Sequence, residues 1–145
     1  MAFKKALRID PYVPDRTESL GDNTGQFSDK DLGKAVKQNA GGYLELCASG
    51  DEIYGFVASV EPYTKDGHSI GSVNCDVNRQ AYATDEAGGL AYGDRVTAGT
   101  PTALGTNIPN GSNVIIAAAA TPIHTWIVIE TYGGAAGDKV LLQKV

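Results

Sequence analysis

Asp51 and Glu52 stand beside Gly50 at the entrance to an apolar run, Ile53-Tyr54-Gly55-Phe56-Val57. Adjacent carboxylates can serve as a general acid/base dyad or as half of a cation cage, and a Gly-Asp pair can equally make a tight turn. Two further stretches decide between these. Gly93-Asp94-Arg95-Val96 and Gly137-Asp138-Lys139-Val140 repeat the order of glycine, aspartate, charged residue and branched apolar residue. Glycine takes the left-handed conformation and aspartate bonds nearby amides, so a pattern that opens three strands is read as backbone chemistry. Asp51 is then expected to bond amides in a tight turn, and Glu52 to lie exposed at the rim.

The other reactive residue types give no catalytic constellation. Asp66, His68 and Ser69 fall within "KDGHS", but adjacent residues of one turn cannot aim three side chains at one atom, and triads are assembled from distant segments. His124 precedes a strand-like run, where a local hydrogen bond is its expected role. Asp29-x-Asp31-x-Gly33 resembles the opening of a calcium loop, yet the glycine comes one place early and no closing acid follows. The glycine-rich stretches lack the Gly-Lys-Ser/Thr of a phosphate loop and the strand and helix that frame a dinucleotide site. Cys47 and Cys75 each lie in a strand-like run and read as buried free thiols. The expectation is a non-enzyme with no cofactor, metal or catalytic residue.

The scaffold reads as all-β. The 145 residues are 42% hydrophobic with 18 Gly and 6 Pro, a composition that suits short strands joined by tight turns. Strand-like runs occur at "AVKQ", "GYLELCA", "IYGFVASV", "IGSVNCDV", "RQAYAT", "RVTA", "HTWIVIETY" and "KVLLQKV". "FSDKDLGKAVKQ" predicts one helical turn capped at Ser28 or Asp29 and ended by Gly33. "VIIAAAATP" suits helix by its alanines and strand by Val-Ile-Ile. The fold expected is a compact β-sandwich, jelly-roll-like or small barrel domain over residues 27–145, preceded by an extended arm over 1–26. In that arm Phe3, Leu7, Ile9, Tyr12 and Val13 are isolated large apolar residues, the kind a partner surface orders.

Charge and hydropathy exclude some partners. A net charge of −5, with 12 basic residues scattered among 17 acids, does not suit a phosphate-tracking surface, so no nucleic acid is expected. No apolar run is long enough to span a bilayer, and no apolar segment follows Lys4 and Lys5 as in an export signal. Tyr43, Tyr54, Tyr63, Tyr82, Tyr92, Tyr132 and Trp126 are either ordinary strand aromatics or the platform of a carbohydrate-binding face.

"FSDKDLGKAVKQ", "GDEIYGFVASVEPYTKDGHSIGSV", "GLAYGDRVTAGT…ALGT" and "HTWIVIETYGGAAGDKVLLQKV" together resemble the decoration (cement) proteins of tailed-bacteriophage capsids, over most of Phe27 to Val145. The resemblance implies a protein made in the host cytoplasm and placed on the outer surface of the virion. There it would bind the major capsid protein, as a homodimer or homotrimer, and hold the head against the pressure of packaged DNA. It carries no catalytic residues. The alternative is a carbohydrate-binding β module of a phage fibre or other virion surface structure.

Overall fold

The computed structural model describes residues 16–21, 26–61, 69–117 and 123–145. The first five strands are β1 (Arg16–Leu20), β2 (Ala35–Gln38), β3 (Leu44–Leu46), β4 (Gly55–Glu61) and β5 (Ser69–Asn74). They close into a barrel in the order β1-β3-β2-β4-β5, with β5 returning to β1. The all-β class expected from composition is present, in its small-barrel form. The expected boundary at Phe27 is corrected, because Arg16–Leu20 is a full barrel strand with Leu20 completely buried. Its sequence, Arg-Thr-Glu-Ser-Leu, has too little apolar alternation to announce a strand; it forms because β5 and β3 each offer an edge that closure satisfies. Phe3, Leu7, Ile9, Tyr12 and Val13 lie outside the described residues.

A second barrel follows: β6 (Gln80–Asp85), β7 (Arg95–Ala98), β8 (Asn113–Ile116), β9 (Trp126–Thr131) and β10 (Lys139–Lys144). Its order, β6-β8-β7-β9-β10, repeats the first strand for strand. The parallel pair recurs as β1·β3 and β6·β8, and the remaining pairs are antiparallel in both. Even the irregularity recurs: the ladder skips Ala58 between β4 and β5, and skips Ile129 between β9 and β10. Val36, Leu44, Val57 and Val73 occupy the ladder positions that Val96, Val114, Val128 and Leu142 hold in the second barrel, and all eight are buried. The chain is thus a structural repeat whose two units differ in side-chain chemistry.

Turns of one design open β7 and β10 and precede β4. In Ala48–Asp51, Ala91–Asp94 and Ala135–Asp138 the aspartate N–H donates to the alanine carbonyl at 3.0, 3.0 and 3.2 Å. The aspartate Oδ2 accepts the alanine N–H in return, at 2.7, 2.9 and 3.0 Å. Gly50, Gly93 and Gly137 sit between them at φ 88°, 89° and 92°, where a Cβ is strained. Asp51 does bond an amide in a tight turn, and the amide lies three residues upstream. Ser28 and Asp31 make the same reciprocal pair around a 3-10 turn at Asp29–Asp31, as the capping sequence predicts.

The barrels meet over a common core. Phe56 of β4 stands edge-on to Trp126 of β9, ring centroids 4.8 Å apart at 89°, and Trp126 is fully buried. Ala35, Cys47, Ile53 and Phe56 pack in one cluster with Val96, Val114, Val128 and Leu142. Backbone bonds add to the joint: Gly50 N–H donates to Ala98 O at 2.8 Å and Ala98 N–H to Asp51 O at 3.0 Å. Cys75, just after β5, and Lys144, the last residue of β10, occupy equivalent positions, and Lys144 Nζ reaches Cys75 O at 2.6 Å. Like positions touching across a joint are what an approximate two-fold relation between similar bodies produces.

Gly93→Ala is expected to cost about 1–2 kcal/mol in urea unfolding, the left-handed penalty alone, since nothing stands near its added methyl. Gly111→Ala should cost distinctly more, because at φ 93° its methyl would also run into the Tyr82 carbonyl.

Candidate functional site

Three places gather polar chemistry. The first contains the acids at Asp51 and Glu52, in a hollow of about 290 Å³ shared with Lys37, Tyr54, Ile123 and His124. Lys37 Nζ lies 2.6 Å from Asp51 Oδ2 and 3.7 Å from Glu45 Oε1. Burial works to raise the Asp51 carboxyl, but its bonds to Lys37 and to the Ala48 amide outweigh this and hold it below the usual range. Glu52 is half-buried rather than exposed, a correction with a simple cause: its Oε2 accepts the His124 backbone N–H at 3.1 Å.

His124 packs edge-on to the Tyr54 ring, centroids 5.2 Å apart. Burial and the Lys144 charge push its imidazole below the ordinary value against the opposing pull of Glu52, so the ring is neutral near pH 7. The Tyr54 phenol is raised, first by burial, and donates to Glu18 Oε1 at 3.0 Å. Asp51, Glu52 and Tyr54 each have an internal hydrogen-bond partner, and His124 is held through its backbone N–H and the edge contact of its ring. The hollow thereby binds a turn to the segment before β9.

The second place is a buried ion pair. Asp31 and Lys34 are 0% and 1% exposed, 2.7 Å apart. Asp31 also accepts Ser28 N–H at 2.6 Å and Gly105 N–H at 2.8 Å, and Lys34 Nζ also donates to the carbonyls of Ala103 and Thr102. The acid that resembled a calcium ligand therefore holds a lysine and a loop. Among the described residues no group of three or more His, Cys, Asp or Glu side chains is placed to hold a metal ion. Lys144 is the related case, its Nζ donating to Tyr54 O at 2.9 Å as well as to Cys75 O.

The third place is a cleft of about 400 Å³ where the barrels diverge, with Leu32, Val57 and Ala58 on one side and Ile108, Pro109 and Tyr82 on the other. Lys139 lines it, its Nζ 4.6 Å from the ring centroids of both Tyr82 and Tyr132. This site was hidden in the sequence: Lys139 is the charged residue of the third Gly-Asp turn, and the tyrosines belong to β6 and the residue after β9.

The remaining sequence candidates disperse. Ser69 is buried and donates to Phe27 O at 3.2 Å, while Asp66 and His68 lie outside the described residues. Cys47 and Cys75 are buried free thiols as expected, and burial pushes Cys47 up to about 12. Tyr54 and Trp126 are buried, Tyr92 is exposed in a turn, and among the described residues Tyr82 and Tyr132 form a pair at the surface, while Tyr63 lies outside them. Among the known families, curated proteins and solved structures, none matches the chain.

Lys34→Met, which leaves Asp31 buried without its cation, should cost about 3–5 kcal/mol in denaturant unfolding. Lys37→Met breaks a pair whose members are each about a third exposed and should cost less than about 1 kcal/mol. Asp51, whose folded carboxyl lies below its ordinary 3.8, contributes stability that is present above pH 3.8 and lost as the pH falls through the lower folded value. Thermal melts between neutral pH and about pH 3 should show a smaller acid-induced drop for Asp51→Asn than for the parent chain.

Proposed function

We propose that the chain is a capsid decoration protein of a tailed bacteriophage. It binds the outer face of the major capsid protein shell as a homodimer or homotrimer and stabilises the head against internal DNA pressure. The observation that carries the reading is the resemblance of the stretches 27–38, 50–73, 89–106 and 124–145. The fold supports it physically. Those stretches supply the clasped 3-10 turn, the joint between barrels and the two aspartate turns of the second barrel, and so a body with little freedom to deform. Such a body suits a staple between neighbouring subunits, because weak contacts repeated on a lattice add up when the span between them matches the spacing of the sites. The internal bonding of Asp51, Glu52, His124, Asp31 and Ser69 also suits a structural role better than a hydrolytic one.

The second reading, a carbohydrate-binding module, is favoured by the surface pair Tyr82 and Tyr132. Calorimetric titration with host polysaccharide distinguishes it: saturable binding lost in Tyr132→Ala would speak for it.

In the capsid reading Phe3, Leu7, Ile9, Tyr12 and Val13 supply contacts to the shell. Removing residues 1–13 spares β1, and the shortened chain should keep the parent's melting behaviour while failing to co-sediment with expanded capsids. Undiminished co-sedimentation would dismiss the anchoring role, and absence of binding by the full chain would dismiss the capsid reading.

A further inference from the structure

The cleft between the barrels has a consistent chemistry. Its walls are apolar, from Leu32, Val57, Ala58, Ile108 and Pro109, and Leu32 remains 44% exposed. Among the described residues Lys139 is the one charged side chain lining it and no carboxylate does, in a chain with five more acids than bases. The ammonium is already positioned, since both tyrosine rings hold it at the same distance, and a fixed cation loses little freedom on binding an anion.

We propose that this cleft docks an extended acidic segment of a partner polypeptide. An apolar side chain of the segment fills the slot and a carboxylate pairs with Lys139. A polypeptide of this kind satisfies the slot and the cation together. A glycan fits less well. Sugars stack on open aromatic faces, and the Lys139 ammonium already covers a face of both Tyr82 and Tyr132. A nucleic acid would need more than one cation. The inference rests on the cleft alone and holds whether or not the partner belongs to a capsid.

The test uses the purified full chain without capsids. A bead-displayed random dodecapeptide library is selected on it, and the strongest peptide is then titrated by calorimetry against the parent, Lys139→Glu, Lys139→Arg and Ala58→Trp, each checked by circular dichroism. Ala58 is exposed, so its tryptophan variant blocks the slot without entering the core. Selected peptides should combine Asp or Glu with Leu, Ile or Phe. Affinity should fall about tenfold or more in Lys139→Glu and in Ala58→Trp and persist in Lys139→Arg. If Ala58→Trp does not fold, the two Lys139 variants decide. Selection of basic peptides, no selection above background, or affinity indifferent to Lys139→Glu would overturn the proposal. So would saturable binding of a bacterial oligosaccharide panel, lost in Tyr82→Ala, where peptides bind nothing.

Discussion

A charge removed from water costs several kcal/mol unless a counter-charge and hydrogen bonds replace the solvent completely. Asp31 and Lys34 meet that condition by drawing backbone from two parts of the chain. The carboxylate takes amides from Ser28 beside it and from Gly105 some seventy residues on, and the ammonium takes the carbonyls of Thr102 and Ala103. The loop between β7 and β8 is thereby tied to the turn before β2, and one barrel cannot shift against the other without stranding a buried ion. Lys144 Nζ, on Tyr54 O and Cys75 O, applies the same constraint from the C-terminal strand. The apolar contact of Phe56 with Trp126 lies in the same joint, and the position of the cleft follows from all three.

The repeat gives these constraints their meaning. Two barrels with the same strand order, parallel pair and skipped residue have no need of identical side chains, because closure depends on ladder geometry and on alternation of buried and outward residues. Equivalent positions are accordingly free to differ. Leu20 fills the first barrel where Asp85 sits buried in the second, bonding the amides of Gly88 and Leu90. Cys75 follows β5 at the position where Lys144 ends β10. Of these two differences, one holds a turn and the other lies where the barrels join.

Some elements were legible because their signals are local. The strands β2 to β7, β9 and β10 follow runs of branched and aromatic residues, whereas Val114-Ile115-Ile116 of β8 stood beside alanines that suit a helix; the Ser28 cap and the Gly50, Gly93 and Gly137 turns follow from the conformations that those residues favour or permit. β1 was not legible, since Arg-Thr-Glu-Ser-Leu becomes a strand only when β3 and β5 present their edges. The repeat was equally hidden: alternating residues can be exchanged widely without disturbing a barrel, so the two halves share topology with little shared sequence. Glu52 was misplaced because its partner is the backbone of His124, seventy-two residues away.

The amino-acid sequence by itself determined an all-β chain, the aspartate turns and the buried thiols, because each depends on residue type and near-neighbour spacing. Tertiary structure alone decided that the strands close twice, that Asp31 faces a lysine and a distant loop, and that Lys139 stands between two tyrosines at the mouth of a cleft. Those outcomes depend on which segments meet after closure, and hydrogen-bond partners far apart along the chain leave no spacing to read.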